Sequence, residues 1–320
     1  MSPPAPQAAP ELGPLLVLVG PTAAGKSALA MALAESHGGE ILSVDSAQVH
    51  RSLDIGTAKP SAEDRARVPH HLIDLVGPDE RMDAAAWAAQ ADAAIADVRG
   101  RGRLPILCGG TGLWVRALLH GLSVIPPVPD AIRDAVSAEL AARGPRALHA
   151  ELAALDPAVA AKVAPADRQR IVRALSVFRA TGRPLGEFQA EHRFADSRYD
   201  AKVFGFWPER DLLHRRIEAR ARAMLDAGWT DEVRALRAGG LAPDAPGLQI
   251  LGYRDVAAHV AGVFPATALL PRITASHRQY ARRQITWFRG VGQREDALTE
   301  LGGDPARSLE ILQRTADTMG

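Results

Sequence analysis

The sequence predicts an α/β fold, a parallel sheet covered by helices on both faces, with a helical subdomain inserted into it. Three observations carry this reading. Short apolar runs bounded by turn residues alternate with stretches of helical period and length. The runs are apolar at successive positions rather than at every second one, as strands buried on both faces must be. One connection, from about residue 113 to 201, is too long for a simple crossover and is rich in helical pattern.

Taken in order, residues 1–14 are rich in proline and alanine and read as a disordered leader; they carry neither the basic nor the apolar segment of a signal peptide. Residues 15–120 form the first part of the core. Strands are expected at Leu15–Val19, Ile41–Val44, Leu72–Leu75 and Pro105–Cys108, with helices at Lys26–Ser36 and Asp83–Arg99. Asp83 stands where its carboxylate can cap the second helix. The insert, residues 121–200, opens on Pro126-Pro127-Val128-Pro129, then becomes alanine-rich and periodic from Asp130 to about Arg179. Residues 201–310 complete the core with a strand at Lys202–Phe206. Helices follow at about Glu209–Ala227, Asp231–Ala238 and Arg272–Phe288. There is no internal repeat of fixed period.

Composition sets outer limits. The chain has 320 residues, 47% of them hydrophobic and 23% charged, with a net charge of +1. It is therefore no polycation, and any contact with nucleic acid must come from local patches. A single cysteine, Cys108, excludes an internal disulfide framework and a cysteine-based zinc or iron–sulfur site. In a buried strand it reads as a small core residue rather than a nucleophile. Trp87, Trp207 and Trp229 read as core. His70 and His71 open a strand, point to opposite faces and cannot share a metal. No apolar run approaches the ~20 residues that span a bilayer, so a cytoplasmic protein without a membrane partner is expected.

Directly after the first strand comes Gly20-Pro21-Thr22-Ala23-Ala24-Gly25-Lys26-Ser27. This is the P-loop pattern, in the strand–loop–helix setting of the P-loop nucleoside-triphosphate hydrolases. The glycines let successive backbone N–H groups turn toward phosphate oxygens. Lys26 supplies a mobile charge, Ser27 a hydroxyl for Mg²⁺, and the helix its positive end. The phosphate compound is a separate matter. There is no Asn-Lys-x-Asp motif for reading guanine. The run Ile41-Leu42-Ser43-Val44-Asp45 ends in a carboxylate at the C-terminal end of a strand, where open α/β sheets bind ligands. Asp45 reads as a metal ligand, as a general base or, more plainly, as a turn residue. Gly109-Gly110-Thr111-Gly112 follows the next core strand, either as an ordinary turn or as a third ligand loop. Chemistry alone would favour a small-molecule or nucleoside kinase.

Longer strings narrow the choice. Ser-Val-Asp-Ser-x-Gln at 43–48, Asp-Ile-Gly-Thr-Ala-Lys-Pro at 54–60 and Gly-Gly-Thr at 109–111 follow the P-loop in order. Gln169-Arg170, Gly252-Tyr253-Arg254 and Arg283-Gln284-Ile285-Thr286-Trp287 come later. Over roughly residues 15–290 the chain resembles the bacterial tRNA dimethylallyltransferases. The resemblance implies that dimethylallyl diphosphate replaces a nucleotide in the P-loop. The exocyclic amine of the adenosine 3′ to the anticodon attacks C1 of that donor, and diphosphate leaves with Mg²⁺. It implies Asp45 as base and Arg220, Lys26 and Thr22 as the other catalytic residues, with residues 20–27 holding the diphosphate. It places the tRNA anticodon arm against Asp45, Ser46, Ala47, Gln48, Thr111, Arg133, Gln169, Arg170, Ile171, Val172 and Arg173. Arg215, Arg216 and Arg222 lie close to Arg220 in the sequence. His50 and Trp114 stand where the family usually has tyrosine, and Lys59 belongs to the family string without an evident chemical role. A monomer is expected.

Two segments are locally basic. Residues 272–294 hold six arginines and no acid, Arg282 and Arg283 among them, with Tyr280, Trp287 and Phe288 interleaved. The insert carries Lys162, Arg168, Arg170, Arg173 and Arg179 against Asp167 alone between 162 and 179. Both read as RNA-facing, although an amphipathic helix with solvated arginines gives the same pattern.

Overall fold

The computed structural model describes residues 12–192, 197–291 and 298–319. Within it the chain divides into two compact units, one of residues 1–120 and 197–320, the other Gly121–Asp196.

The first unit begins with β1 (Leu12–Val19), α1 (Lys26–His37), β2 (Glu40–Val44), α2 (Ala62–Arg67), β3 (His70–His71), α3 (Ala84–Gly100), β4 (Pro105–Gly109) and α4 (Gly112–His120). The second unit is helical: α5 (Asp130–Arg143), α6 (Pro145–Leu155), α7 (Pro157–Ala160), α8 (Arg168–Thr181) and α9 (Leu185–His192). The first unit then resumes with β5 (Tyr199–Phe206), α10 (Arg210–Asp226), α11 (Trp229–Ala238), α12 (Tyr253–Val260), α13 (Leu269–Val291), β6 (Thr299–Gly302) and α14 (Pro305–Asp317).

Six parallel strands form one sheet in the order β3-β2-β4-β1-β5-β6. Residues 15–19 of β1 and 105–109 of β4 are buried throughout, because helices cover both faces. On one face Leu16, Leu18, Ile106 and Phe206 pack with Leu29 and Leu33 of α1 and Leu312 of α14. Elsewhere in this unit Trp87 of α3 stacks on Trp114 of α4 at 5.0 Å between ring centroids. A separate layer of Trp229, Leu248, Tyr253, Val256 and Ile273 joins α11, α12 and α13. The helical unit has its own core, built around Val136, Leu148, Leu152, Ile171, Leu175 and Val177.

Several expectations need correction. The strand expected at Leu72–Leu75 is instead His70–His71, since Leu72 (φ 63°) and Asp74 (φ 58°) adopt left-handed backbone that no strand tolerates. The leader cannot extend to residue 14, because Leu12 and Pro14 already pair with Tyr199 and Asp200; residues 1–11 lie outside the described residues. The core also runs beyond residue 310. β6 and α14 escape the sequence reading because β6 buries only Leu301, too little to show a pattern. α12 lies in a stretch with no expected helix. Asp83 caps α3 as expected, its carboxylate accepting from the Ala86 N–H at 2.8 Å.

Candidate active site

Val19, Gly109 and Val44 are register partners across β1, β4 and β2, so the three strands end level. The loops that follow them therefore open on one edge of the sheet, where side chains from different strands can converge. They surround a cleft of about 740 Å³ lined by Thr22–Ser27, Asp45–Gln48 and Cys108–Gly110. Gly56–Ala58, Arg216 and Arg220 of α10, and His277, Tyr280 and Gln284 of α13 complete its walls.

The P-loop forms from local rules. Ala23 (φ 60°) and Gly25 (φ 107°) turn the backbone through left-handed conformations just before α1. No side chain caps α1, so its first amides are left for a ligand. Lys26 donates to the Pro21 carbonyl at 2.8 Å, which folds the lysine back over its own loop. Of the eight expected diphosphate residues, Thr22, Ala23, Ala24, Gly25, Lys26 and Ser27 line the cleft, while Gly20 and Pro21 lie buried outside its lining. Gly20 is needed for packing: a Cβ there would meet the Phe206 carbonyl at 2.6 Å. The Thr22 amide is no free phosphate donor either, since it donates to Gln284 Oε1 at 2.9 Å.

Gln284 was missed as a functional residue. Its amide nitrogen donates to the Gly110 carbonyl at 3.0 Å. One buried side chain thus ties the P-loop to the Gly-Gly-Thr loop. Gly110 must lack a side chain for this, since a Cβ would lie 2.1 Å from Gln284 Nε2. The buried positions of α13 run Leu269, Ile273, Thr274, His277, Ala281, Gln284 and Phe288. His277 and Gln284 are large polar side chains in a mostly apolar stripe, and that is the signal that could have found them. Arg216 was also passed over in favour of Arg220. It donates to the Ala24 carbonyl at 2.7 Å and braces the P-loop from α10. Of the neighbouring arginines, Arg215 and Arg222 are exposed and outside the cleft lining.

Charge is concentrated here. Burial lowers Lys26 to about 8, helped by Arg220 and opposed by Asp45. Burial raises Asp45, against the stabilising Ala47 N–H, Lys26 and Arg220. That N–H donates to Asp45 Oδ1 at 2.8 Å. Arg220 is lowered by burial, with Asp45 pulling it back. Burial and the nearby Asp45 push Tyr280 up to about 12; burial and Arg220 hold His277 down at about 4. One carboxylate beside two cations in a cleft that buries all three is an arrangement for moving a proton beside a departing anion. Cys108 lies in buried strand, and burial pushes its thiol up to about 11, so it is no nucleophile at neutral pH.

The loop after β2 is held in place from behind. Ser43 donates to Gln48 Oε1 at 2.8 Å, and Gln48 donates onward to the Thr57 and Ala58 carbonyls. The Asp-Ile-Gly-Thr-Ala-Lys-Pro string now has a physical account. The amides of Asp54 and Ile55 donate to Glu232 Oε2, and that of Gly56 to the Tyr253 hydroxyl. A Cβ on Gly56 would strike the Trp229 ring at 2.1 Å. Lys59 has a buried side chain and bonds the His50 carbonyl (2.7 Å), Asp54 (2.6 Å) and Asp74. Its role is to clamp the loop. His50 is buried on the Gly77 carbonyl, and Trp114 is core, so both are structural. Lys59→Met is expected to lower stability by about 2–3 kcal/mol, less than orphaning a fully buried pair because Asp54 stays largely exposed. Urea unfolding would measure it; an unchanged midpoint would remove the clamp.

The remaining expected RNA residues divide between the two units. Ser46, Ala47 and Gln48 line the cleft, and Thr111 accepts from the Ser46 N–H at 3.1 Å. Arg282 borders a different groove, between α10 and α13, while Arg283 lies over the Tyr280 ring. Arg272, Arg278 and Arg289 are paired with Asp255, Glu218 and Glu300, so half of the six arginines counted in that segment serve the fold. Arg294 lies outside the described residues. In the helical unit Arg133, Gln169, Arg170 and Arg173 are exposed and Val172 is half-buried. Ile171 is fully buried in the unit's core and its side chain cannot touch RNA. Arg179 is held by Glu139 and Glu151.

A family profile described as IPP transferase matches residues 48–291, and one described as isopentenyl transferase matches residues 14–71. A tRNA dimethylallyltransferase of Anaeromyxobacter dehalogenans is 52% identical over 278 residues, covering 86% of this chain and 91% of its own. One from Halorhodospira halophila is 53% identical over 279 residues, 87% of this chain and 90% of its own. The crystal structure of the full-length tRNA isopentenylpyrophosphate transferase of Bacillus halodurans superposes with a TM-score of 0.69. It is 34% identical and covers 95% of this chain and 96% of its own. A eukaryotic dimethylallyltransferase acting on tRNA, 22% identical, shares the fold with a TM-score of 0.77 over 95% of this chain and 77% of its own.

Proposed function

The chain belongs to the IPP transferase family and prenylates tRNA, and from that premise we propose how its cleft performs the transfer. The donor is dimethylallyl diphosphate, seated in the P-loop, and the acceptor is N6 of the adenosine 3′ to the anticodon. The observation that carries this reading is the placement of Asp45, Lys26 and Arg220 in one cleft, all three shifted chiefly by burial, with the Asp45 carboxylate acting on both cations.

The adenine amine is a weak nucleophile, and its lone pair is spread into the ring. As it attacks C1 of the donor, the C1–O bond breaks and the electron pair leaves on the diphosphate. The amine proton passes to Asp45, whose raised pKa makes it a better base than an exposed carboxylate. Lys26, Arg220 and the first amides of α1 meet the charge that grows on the leaving group. Gln284, Arg216 and Lys59 hold the loops that carry these groups.

The residues present fit a hydrated Mg²⁺: Ser27 offers an exposed hydroxyl on the first turn of α1, a hard oxygen donor of the kind that ion takes beside diphosphate oxygens and water. When bound it would neutralise charge on the departing diphosphate. Labelled dimethylallyl groups should pass to unmodified tRNA, and chelation should stop transfer until Mg²⁺ is restored. Release of γ-phosphate from ATP with no transfer would overturn the reading.

A pH profile follows from the two perturbed groups. Asp45 must be ionised, and its pKa is raised, so the acidic limb lies above the usual carboxylate range. Lys26 must be protonated, and its pKa is about 8, so kcat/KM for the donor falls above about pH 8. Bound diphosphate favours the charged lysine, so kcat alone should hold to higher pH. Equal alkaline limbs in kcat and kcat/KM would remove Lys26 as the titrating group.

A further inference from the structure

One polar side chain of the cleft takes no part in the transfer chemistry. His277 of α13 is 9% exposed and lines the cleft wall. Neither of its ring nitrogens has a hydrogen-bond partner among the described residues. The ring lies parallel to that of Trp229, with 6.5 Å between centroids and 10° between planes. The Trp229 indole N–H is sealed in the core, whereas the imidazole nitrogens keep accessible surface on the cleft. A buried imidazole with an unpaired donor and an unpaired acceptor is costly, and one that faces a cleft calls for a ligand.

Its place along the cleft identifies the substrate it meets. On α13, Gln284 holds the P-loop, Tyr280 feels Asp45, and His277 feels Arg220 and Asp255 instead. On α10, Arg216 braces the P-loop, Arg220 faces the leaving group, and Met224 follows on the same face about 6 Å farther along. His277 thus lies on the donor side of the reaction centre, past Arg220, where Met224, Ile250 and Leu251 line the cleft with it. That is an apolar wall for an allylic tail, with one imidazole set into it. Burial and Arg220 hold the imidazole down at about 4, so it is neutral at working pH. It therefore offers one N–H donor and one bare nitrogen acceptor. A hydroxyl, itself donor and acceptor, satisfies either nitrogen, and a methyl group pairs with neither. An ammonium would be repelled by Arg220, and a carboxylate would draw Arg220 away from the diphosphate.

We infer that His277 sets donor specificity by hydrogen-bonding a hydroxyl at the far end of the allylic tail, so that the cleft also transfers hydroxylated five-carbon donors. The inference rests on the reading of an allylic diphosphate as donor and names a second member of that class. The chemistry is the same for both. N6 attacks C1, the C1–O bond breaks with its electron pair on the diphosphate, and the amine proton passes to Asp45. The hydroxyl is carried into the product intact.

The test is competition for unmodified tRNA between dimethylallyl diphosphate and its analogue hydroxylated at a terminal methyl, with the product nucleosides separated by mass. An apolar wall alone would disfavour the hydroxylated tail by about 10²-fold. The wild type is expected to use the two donors within about tenfold of each other in kcat/KM. His277→Leu should lower the ratio of hydroxylated to unhydroxylated product by about tenfold, the worth of one hydrogen bond. His277→Asn, which keeps a donor and an acceptor, should retain more of that ratio. The ratio cancels any general loss from altered packing against Trp229. Rejection of the hydroxylated donor by the wild type at about 10²-fold or more, or a ratio that His277→Leu leaves unmoved, would overturn the assignment. Failure of the wild type to transfer the dimethylallyl group itself would instead strike the donor reading, and the inference with it.

Discussion

Asp45→Asn is expected to reduce kcat for dimethylallyl transfer by about 10²–10⁴-fold while tRNA binding stays within a few-fold of wild type. The substitution keeps size and shape, and the amide oxygen can still accept the Ala47 N–H now bonded at 2.8 Å. What it removes is the only carboxylate lining the cleft among the described residues. Without it the attacking amine must shed its proton to water, or form the new bond first and carry the resulting positive charge until a proton is lost. Binding should survive because Ser46, Ala47 and Gln48 are held by other contacts, including the Thr111 hydroxyl and the Gln48 bridge to the 54–60 loop. Single-turnover transfer with labelled donor separates the two quantities. Near-wild-type turnover would move the base elsewhere, with Tyr280 the next candidate, since it lines the same cleft and senses Asp45.

Arg220→Ala should cost about 10²–10³-fold in kcat/KM for the donor, the loss seen when a pre-organised group facing developing charge is removed. Arg220 is half-buried on α10, lines the cleft and carries its charge against burial. Its environment is already shaped around a cation, so diphosphate meets a fixed charge rather than one that must be desolvated. Lysine at this position should recover part of the loss, because it restores charge without the guanidinium fork. Arg222→Ala is the control: exposed and facing Glu218 at 3.9 Å, it should leave transfer unchanged. Equal losses in both variants would mean that α10 contributes a general positive field and that Arg220 has no special place.

Much of this was readable in the linear chain because the signals are local. A P-loop is one contiguous turn whose glycine and lysine spacing follows from backbone geometry. Residues 22–27 line the cleft as that spacing requires. Asp45 was readable for the same reason, ending an apolar run where a buried strand must stop. Lys59 shows where local reading runs out. It sits in a distinctive string, yet its partners His50, Asp54 and Asp74 come together only because the chain doubles back. The expected strand at Leu72–Leu75 failed on backbone conformation, which apolar pattern does not report.

By itself the sequence determined the α/β class, the helical insert, the phosphate loop, the place of Asp45 at the end of a buried strand and, through its longer strings, the family. These depend on residue type and spacing over a few turns or one strand. Only the tertiary structure decided which of several arginines enters the cleft, and that Gln284 on α13 joins two loops 174 residues or more away. It alone showed that Ile171 is core and that three arginines of the α13 segment are spent on ion pairs. The reason is physical: the charge, burial and hydrogen-bond state of a side chain depend on neighbours distant in sequence, and only packing selects those neighbours.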